Sequence, residues 1–129
     1  MPSRSPHMPV SPPELIERFA MVLERFPELE RRTMFGYPAA FVAAGHMATG
    51  LHGRDWIVRL GGDDQAELRR AGGEDFEPMP GRPMKGFLSL PSHIVADDDS
   101  VADWVARAGA FAITLPPKKP KKPKKPKKR

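Results

Sequence analysis

Apolar residues recur at helical spacing near the start of the chain. Leu15, Ile16, Phe19, Val22, Leu23 and Phe26 fall on one face, with Glu14, Glu17, Arg18, Glu24 and Arg25 on or near the other. Ser11 is the predicted cap, Pro12 the first helical residue, and Glu14 completes an S-x-x-E capping box. Pro27 stops this helix near Phe26. From Arg31 to Leu60 the period shortens to two. Tyr37-Pro38, Ala44-Gly45 and Gly53-Arg54-Asp55 are turn signals, so Ala39 to Ala43 and His46 to His52 read as a hairpin and Asp55 to Leu60 as the next strand. Strict alternation places Met47, Thr49 and Leu51 on one face and His46, Ala48, Gly50 and His52 on the other. Trp56, Val58 and Leu60 likewise oppose Ile57 and Arg59, as in an antiparallel meander with one covered face.

Asp63 to Ala71 reads as a short polar helix anchored by Leu68 and ended by Gly72-Gly73. Phe76 to Pro83 is a loop with room for a brief edge strand, and Gly86 to Leu90 a further strand stopped by Pro91. Ser100 is the predicted cap of a last helix, with Asp97 to Asp99 before its positive end. Its apolar stripe is Val101, Trp104, Val105, Ala108, Phe111, Ala112 and Leu115. The pattern predicts an α+β fold: a two-layer antiparallel sheet of four to five strands, covered on one face by the two long helices. Trp56, Trp104, Phe19, Phe26, Phe41 and Phe111 are expected to pack in the core.

Composition changes this picture at one place. The 129 residues suffice for one domain, expected over 11–115 between unstructured segments 1–10 and 116–129. The net charge is +5, yet Pro116 to Arg129 hold eight lysines and one arginine. The remainder carries twelve basic against sixteen acidic residues, a net of −4, so the positive charge belongs to the tail. The tail is Pro-Pro-Lys-Lys, then Pro-Lys-Lys three times, then Arg129. It has no apolar residue to bury, which predicts disorder biased to extended polyproline II, with a reach of about 40 Å. There is no cysteine, which excludes disulfides, thiolate metal sites and cysteine nucleophiles. No apolar run approaches the ~18 residues of a membrane span, and residues 1–10 lack the apolar region of a secretory signal.

The central block carries a recognisable set of segments: Met34-Phe35-Gly36, Gly45-His46-Met47-Ala48-Thr49-Gly50, Trp56-Ile57-Val58-Arg59-Leu60, the run from Phe76 to Phe87 with its Gly81-Arg82-Pro83-Met84-Lys85-Gly86 core, and Trp104-Val105. Together these resemble the N-terminal domain of the TfoX/Sxy family of bacterial competence regulators, over about Leu15 to Leu115. The resemblance implies a two-layer antiparallel fold like that of secretion chaperones and a cytoplasmic, non-enzymatic regulatory protein. It supplies no catalytic or ligand residues. Where the full-length regulators carry a second, helix-rich domain, this chain has the lysine tail.

The tail is the main candidate site. Lys118, Lys119, Lys121, Lys122, Lys124, Lys125, Lys127, Lys128 and Arg129 are placed to meet DNA or RNA phosphates without reading sequence, because lysine offers a point charge and no fixed fork. Its rival reading is a solvated segment conferring solubility, on a protein-interaction adaptor. A further reading folds the tail back on Glu74, Asp75, Glu77 and Asp97 to Asp99. Arg82 and Lys85 are a secondary phosphate or acidic-partner contact, against an ordinary exposed turn. Phe35 and Tyr37 either face a partner or close the end of the core. His46 and His52 share a predicted face but stand roughly 20 Å apart along the strand, too far to ligate one metal. No catalytic motif, cofactor signature or lipidation signal is present, so the expectation is no enzyme, no cofactor, no metal and no membrane contact. The expected partners are nucleic acid through the tail and a protein or second copy through the folded part.

Overall fold

A computed structural model describes residues 11–34, 36–79 and 81–116. In order these are α1 (Pro13–Leu23), β1 (Glu30–Met34), β2 (Tyr37–Phe41), β3 (Met47–His52), β4 (Asp55–Arg59), α2 (Gly62–Arg70), β5 (Glu74–Asp75), β6 (Phe87–Ser89), α3 (Ser92–Val95) and α4 (Asp98–Ile113). The strands form one sheet in the order β1-β2-β3-β4-β6-β5, antiparallel throughout. The fold is α+β as the pattern predicts, with six strands instead of four to five. The additional ones are β1, whose Glu-Arg-Arg-Thr run has no apolar alternation, and the two-residue β5.

α1 and α4 lie on one face of the sheet, α1 against β2 and α4 against β3 and β4. Their stripes meet Ala40, Leu51, Trp56 and Val58 from the strands. Phe19 of α1 packs its ring 5.1 Å from that of the fully buried Trp56. Trp56 Nε1 donates to Thr49 Oγ1 at 3.0 Å, and Thr49 Oγ1 donates to the Ile57 carbonyl at 2.7 Å. Both buried polar groups are thereby satisfied.

Strict alternation fails at one residue. Ala40 pairs with Thr49, but Phe41 pairs with Met47, so Ala48 is an extra residue, a β-bulge. Ala48 enters the helix-side core, while Met47 packs on the opposite face with Ile57, Phe76 and Phe87. Met47 therefore does not share a face with Thr49 and Leu51. His46 sits in the turn before β3, where its ring meets the Pro116 carbonyl, and His52 lies on the outer side, where its ring contacts those of Tyr37 and Phe76. Phe41 is buried, but under the Arg32 guanidinium on the outer face and not among the helices.

The helix ends also differ from expectation. Pro12 is the N-cap of α1 and Pro13 its first residue, while Ser11 Oγ is buried and makes no cap bond. Two successive prolines with fixed φ set the helix start one residue later than the S-x-x-E reading. α1 ends at Leu23, three residues before Phe26, and a turn at Arg25 to Leu29 leads into β1. Asp97, not Ser100, is the N-cap of α4; Ser100 sits in its first turn and donates to Asp97 Oδ2 at 2.8 Å. Gly72-Gly73 does end α2: Gly73 N–H bonds to the Leu68 carbonyl and Gly72 N–H to that of Arg69, with Gly72 at φ +109. Among the described residues no helix is long and apolar enough to cross a membrane.

Candidate polyanion interface

The nine tail cations, Lys118 to Arg129, lie outside the described residues, as does Phe35. The root of the tail is defined. α4 ends at Ile113, and Thr114 Oγ1 donates to the Phe111 carbonyl at 2.7 Å. His46 Nε2 lies 2.6 Å from the Pro116 carbonyl. A carbonyl only accepts, so this ring nitrogen carries the hydrogen. The contact ties the first tail residue to the turn between β2 and β3.

Beside this root is an open cleft of about 420 Å³. Its walls include Arg59 and Lys85, with Gly61, Gly86, Phe111 and Leu115. Arg59 ends β4 on the outer face. Its guanidinium lies 4.7 Å over the Phe87 ring, and its Nε donates to the Met47 carbonyl at 2.9 Å. Burial lowers its pKa from the ordinary arginine value. No carboxylate among the described residues bonds to it, whereas Arg18, Arg25, Arg32 and Arg69 each pair with one and Arg107 with three. Lys85 is exposed at the mouth of the cleft.

The two cations expected to act together are separated in role. Arg82 is exposed in a tight turn, where its N–H bonds to the Met79 carbonyl and the Gly81 N–H to Glu77 Oε2. It does not line the cleft. Lys85 lines the cleft together with Arg59 instead. The alternation placed Arg59 opposite Trp56 and Val58 but gave no sign that it would meet Lys85, because that meeting depends on β6 pairing with β4.

The acidic residues gather elsewhere. Asp55, Glu74, Asp75 and Glu77 line a cleft of about 400 Å³ at the β3–β4 turn and the β5 edge. Asp75 already pairs with Arg69. At the start of α4, Asp98 bonds to Arg18 and Asp99 to Arg25. Among the described residues no group of three or more His, Asp or Glu is arranged to hold a metal. Tyr37 is buried against His52 and closes the outer face rather than presenting itself.

The TfoX N-terminal domain family matches residues 21–112 of this chain. No curated protein and no solved structure matches it.

Proposed function

The chain belongs to the TfoX N-terminal domain family, and from that footing we propose that it works as a non-enzymatic, cytoplasmic regulatory module whose basic tail holds DNA or RNA without sequence preference. The observation that carries this is the separation of charge: eight lysines and an arginine in the last fourteen residues, joined to a body of net −4. A run of lysines binds phosphates by releasing counterions, which gives affinity and no base readout. No aromatic is interleaved with them, so stacking on single strands plays no part. The folded domain engages a protein partner or a second copy of itself, and the tail fixes that assembly on nucleic acid.

The test is a salt titration of binding to a labelled duplex. The full chain is compared with a full-length variant in which the eight tail lysines and Arg129 are glutamine. With five to eight lysines on phosphates, log K falls against log salt with a slope of roughly −4 to −7. The neutralised variant is expected to lose most of that slope. Equal binding by both removes the tail from the mechanism.

A second reading is a protein-interaction adaptor whose tail confers only solubility. A groove of about 310 Å³ between α1 and the open β1 edge favours it. Ile16, 41% exposed, stands in this groove beside Thr33 and Pro38. On that reading the neutralised variant aggregates at lower concentration, and the full chain shows no salt-dependent duplex binding.

A further inference from the structure

Eight of the nine lysines lie in the tail; the ninth is Lys85. Every other cation of the body is an arginine or a histidine. This one lysine lines the same cleft as Leu115, the residue from which the tail departs. Arg59 lines the cleft too, half-buried, with its Nε held by the Met47 carbonyl and its plane against Phe87. A partly desolvated guanidinium normally has a carboxylate partner, because burying a lone charge is costly. Arg59 has none, although the body offers sixteen acidic residues. Asp64, close by on α2, is taken up by Arg107, and Asp63 is the remaining acid at that helix start.

We infer that the Arg59–Lys85 cleft is a phosphate-binding site of the folded domain, taking a backbone phosphate of the same nucleic acid that the tail holds. The inference rests on the polyanion reading of the tail. Its geometry is that of a fixed seat beside the point where the tail begins. Arg59 is pre-oriented by its stack and its Nε bond, which leaves the terminal nitrogens to meet phosphate oxygens. Lys85 adds a point charge at the mouth. The His46–Pro116 bond keeps the first tail residue next to this seat. A phosphate in the cleft therefore places neighbouring phosphates within reach of Lys118 and its successors, raising their effective concentration.

The test uses the full chain and a fluorescein-labelled 24-base-pair duplex, read by anisotropy across a salt series. Lys85→Gln is the main variant, since Lys85 is exposed and its loss disturbs no packing. Arg54→Gln, an exposed cation in the β3–β4 turn at the other end of β4, is the control for net charge. Lys85→Gln is expected to reduce the slope of log K on log salt by about 0.9 and to weaken binding roughly five- to tenfold at 0.1 M salt. Arg54→Gln is expected to change both by far less. Arg59→Gln should match Lys85→Gln, with Arg59→Lys recovering part of the loss. Equal effects of Lys85→Gln and Arg54→Gln would overturn the site while leaving the tail reading intact. Full binding by the tail-neutralised variant would instead overturn the tail reading beneath it. Amide spectra separate the phosphate sources. Shifts at Gly61, Lys85 and Gly86 on adding duplex support the assignment. Shifts with inorganic phosphate alone, and none with duplex, would show a free-anion site and overturn it.

Discussion

Thr49 uses one hydroxyl twice. It accepts from the Trp56 indole and donates to the Ile57 carbonyl, with no exposure to water. Thr49→Val keeps the shape and removes both bonds, leaving a buried N–H and a buried carbonyl with one partner fewer. The expected cost is about 1–3 kcal/mol of unfolding free energy, read by urea denaturation, with Thr49→Ser losing less. Gly61 is a different case. A Cβ there would stand 3.1 Å from the Phe111 ring, closer than such contacts normally run. Gly61→Ala is expected to push Phe111 aside and reshape the cleft wall, visible as shifted Phe111 and Leu115 side-chain resonances. Neither constraint is legible in the sequence. A threonine in a strand looks like ordinary alternation, and a Gly-Gly pair looks like an ordinary turn, until the partner from a distant segment is in place.

The elements were legible where their signals were local. The stripes of α1 and α4, the Gly72-Gly73 stop and the two-residue turn at Gly53-Arg54 all rest on neighbours in sequence. Gly72→Ala is expected to destabilise by about 1 kcal/mol, checked by thermal melts, because a side chain at φ +109 is strained. β1 was obscured because an edge strand of charged residues has no alternation, and such charges guard an open edge against pairing with other chains. The Ala48 bulge was hidden because it obeys the partner strand and not its own pattern. Arg107 of α4 bonds to Asp64 and Glu67 of α2. Its pKa is raised by its bond to Glu67 and by Asp103 and Asp64, against the opposing effect of burial. The guanidinium also lies 4.2 Å over the Trp104 ring. These ion pairs are partly solvated, so Arg107→Ala is expected to cost only about 1 kcal/mol. Arg107→Lys should recover part of this, and hydrogen exchange should rise in α2 before the rest of the fold.

The two clefts at the ends of β4 differ in charge. The 55–59 strand runs from the end holding Asp55, Glu74, Asp75 and Glu77 to the end holding Arg59 and Lys85, a span of about 13 Å. The sequence placed the positive charge in the tail and the deficit in the body, but not this axis, which exists only once β6 has slotted between β4 and β5. The span exceeds the screening length of about 8 Å at physiological salt, so the acidic cleft does not neutralise the basic one.

If the tail and the Arg59–Lys85 cleft hold a duplex as proposed, a coated duplex would wear the acidic clefts outward, like bristles of one sign. Adjacent bristles repel. Filling the lattice should grow harder with each molecule added, giving a binding curve broader than that of independent sites, and one that sharpens as salt is raised.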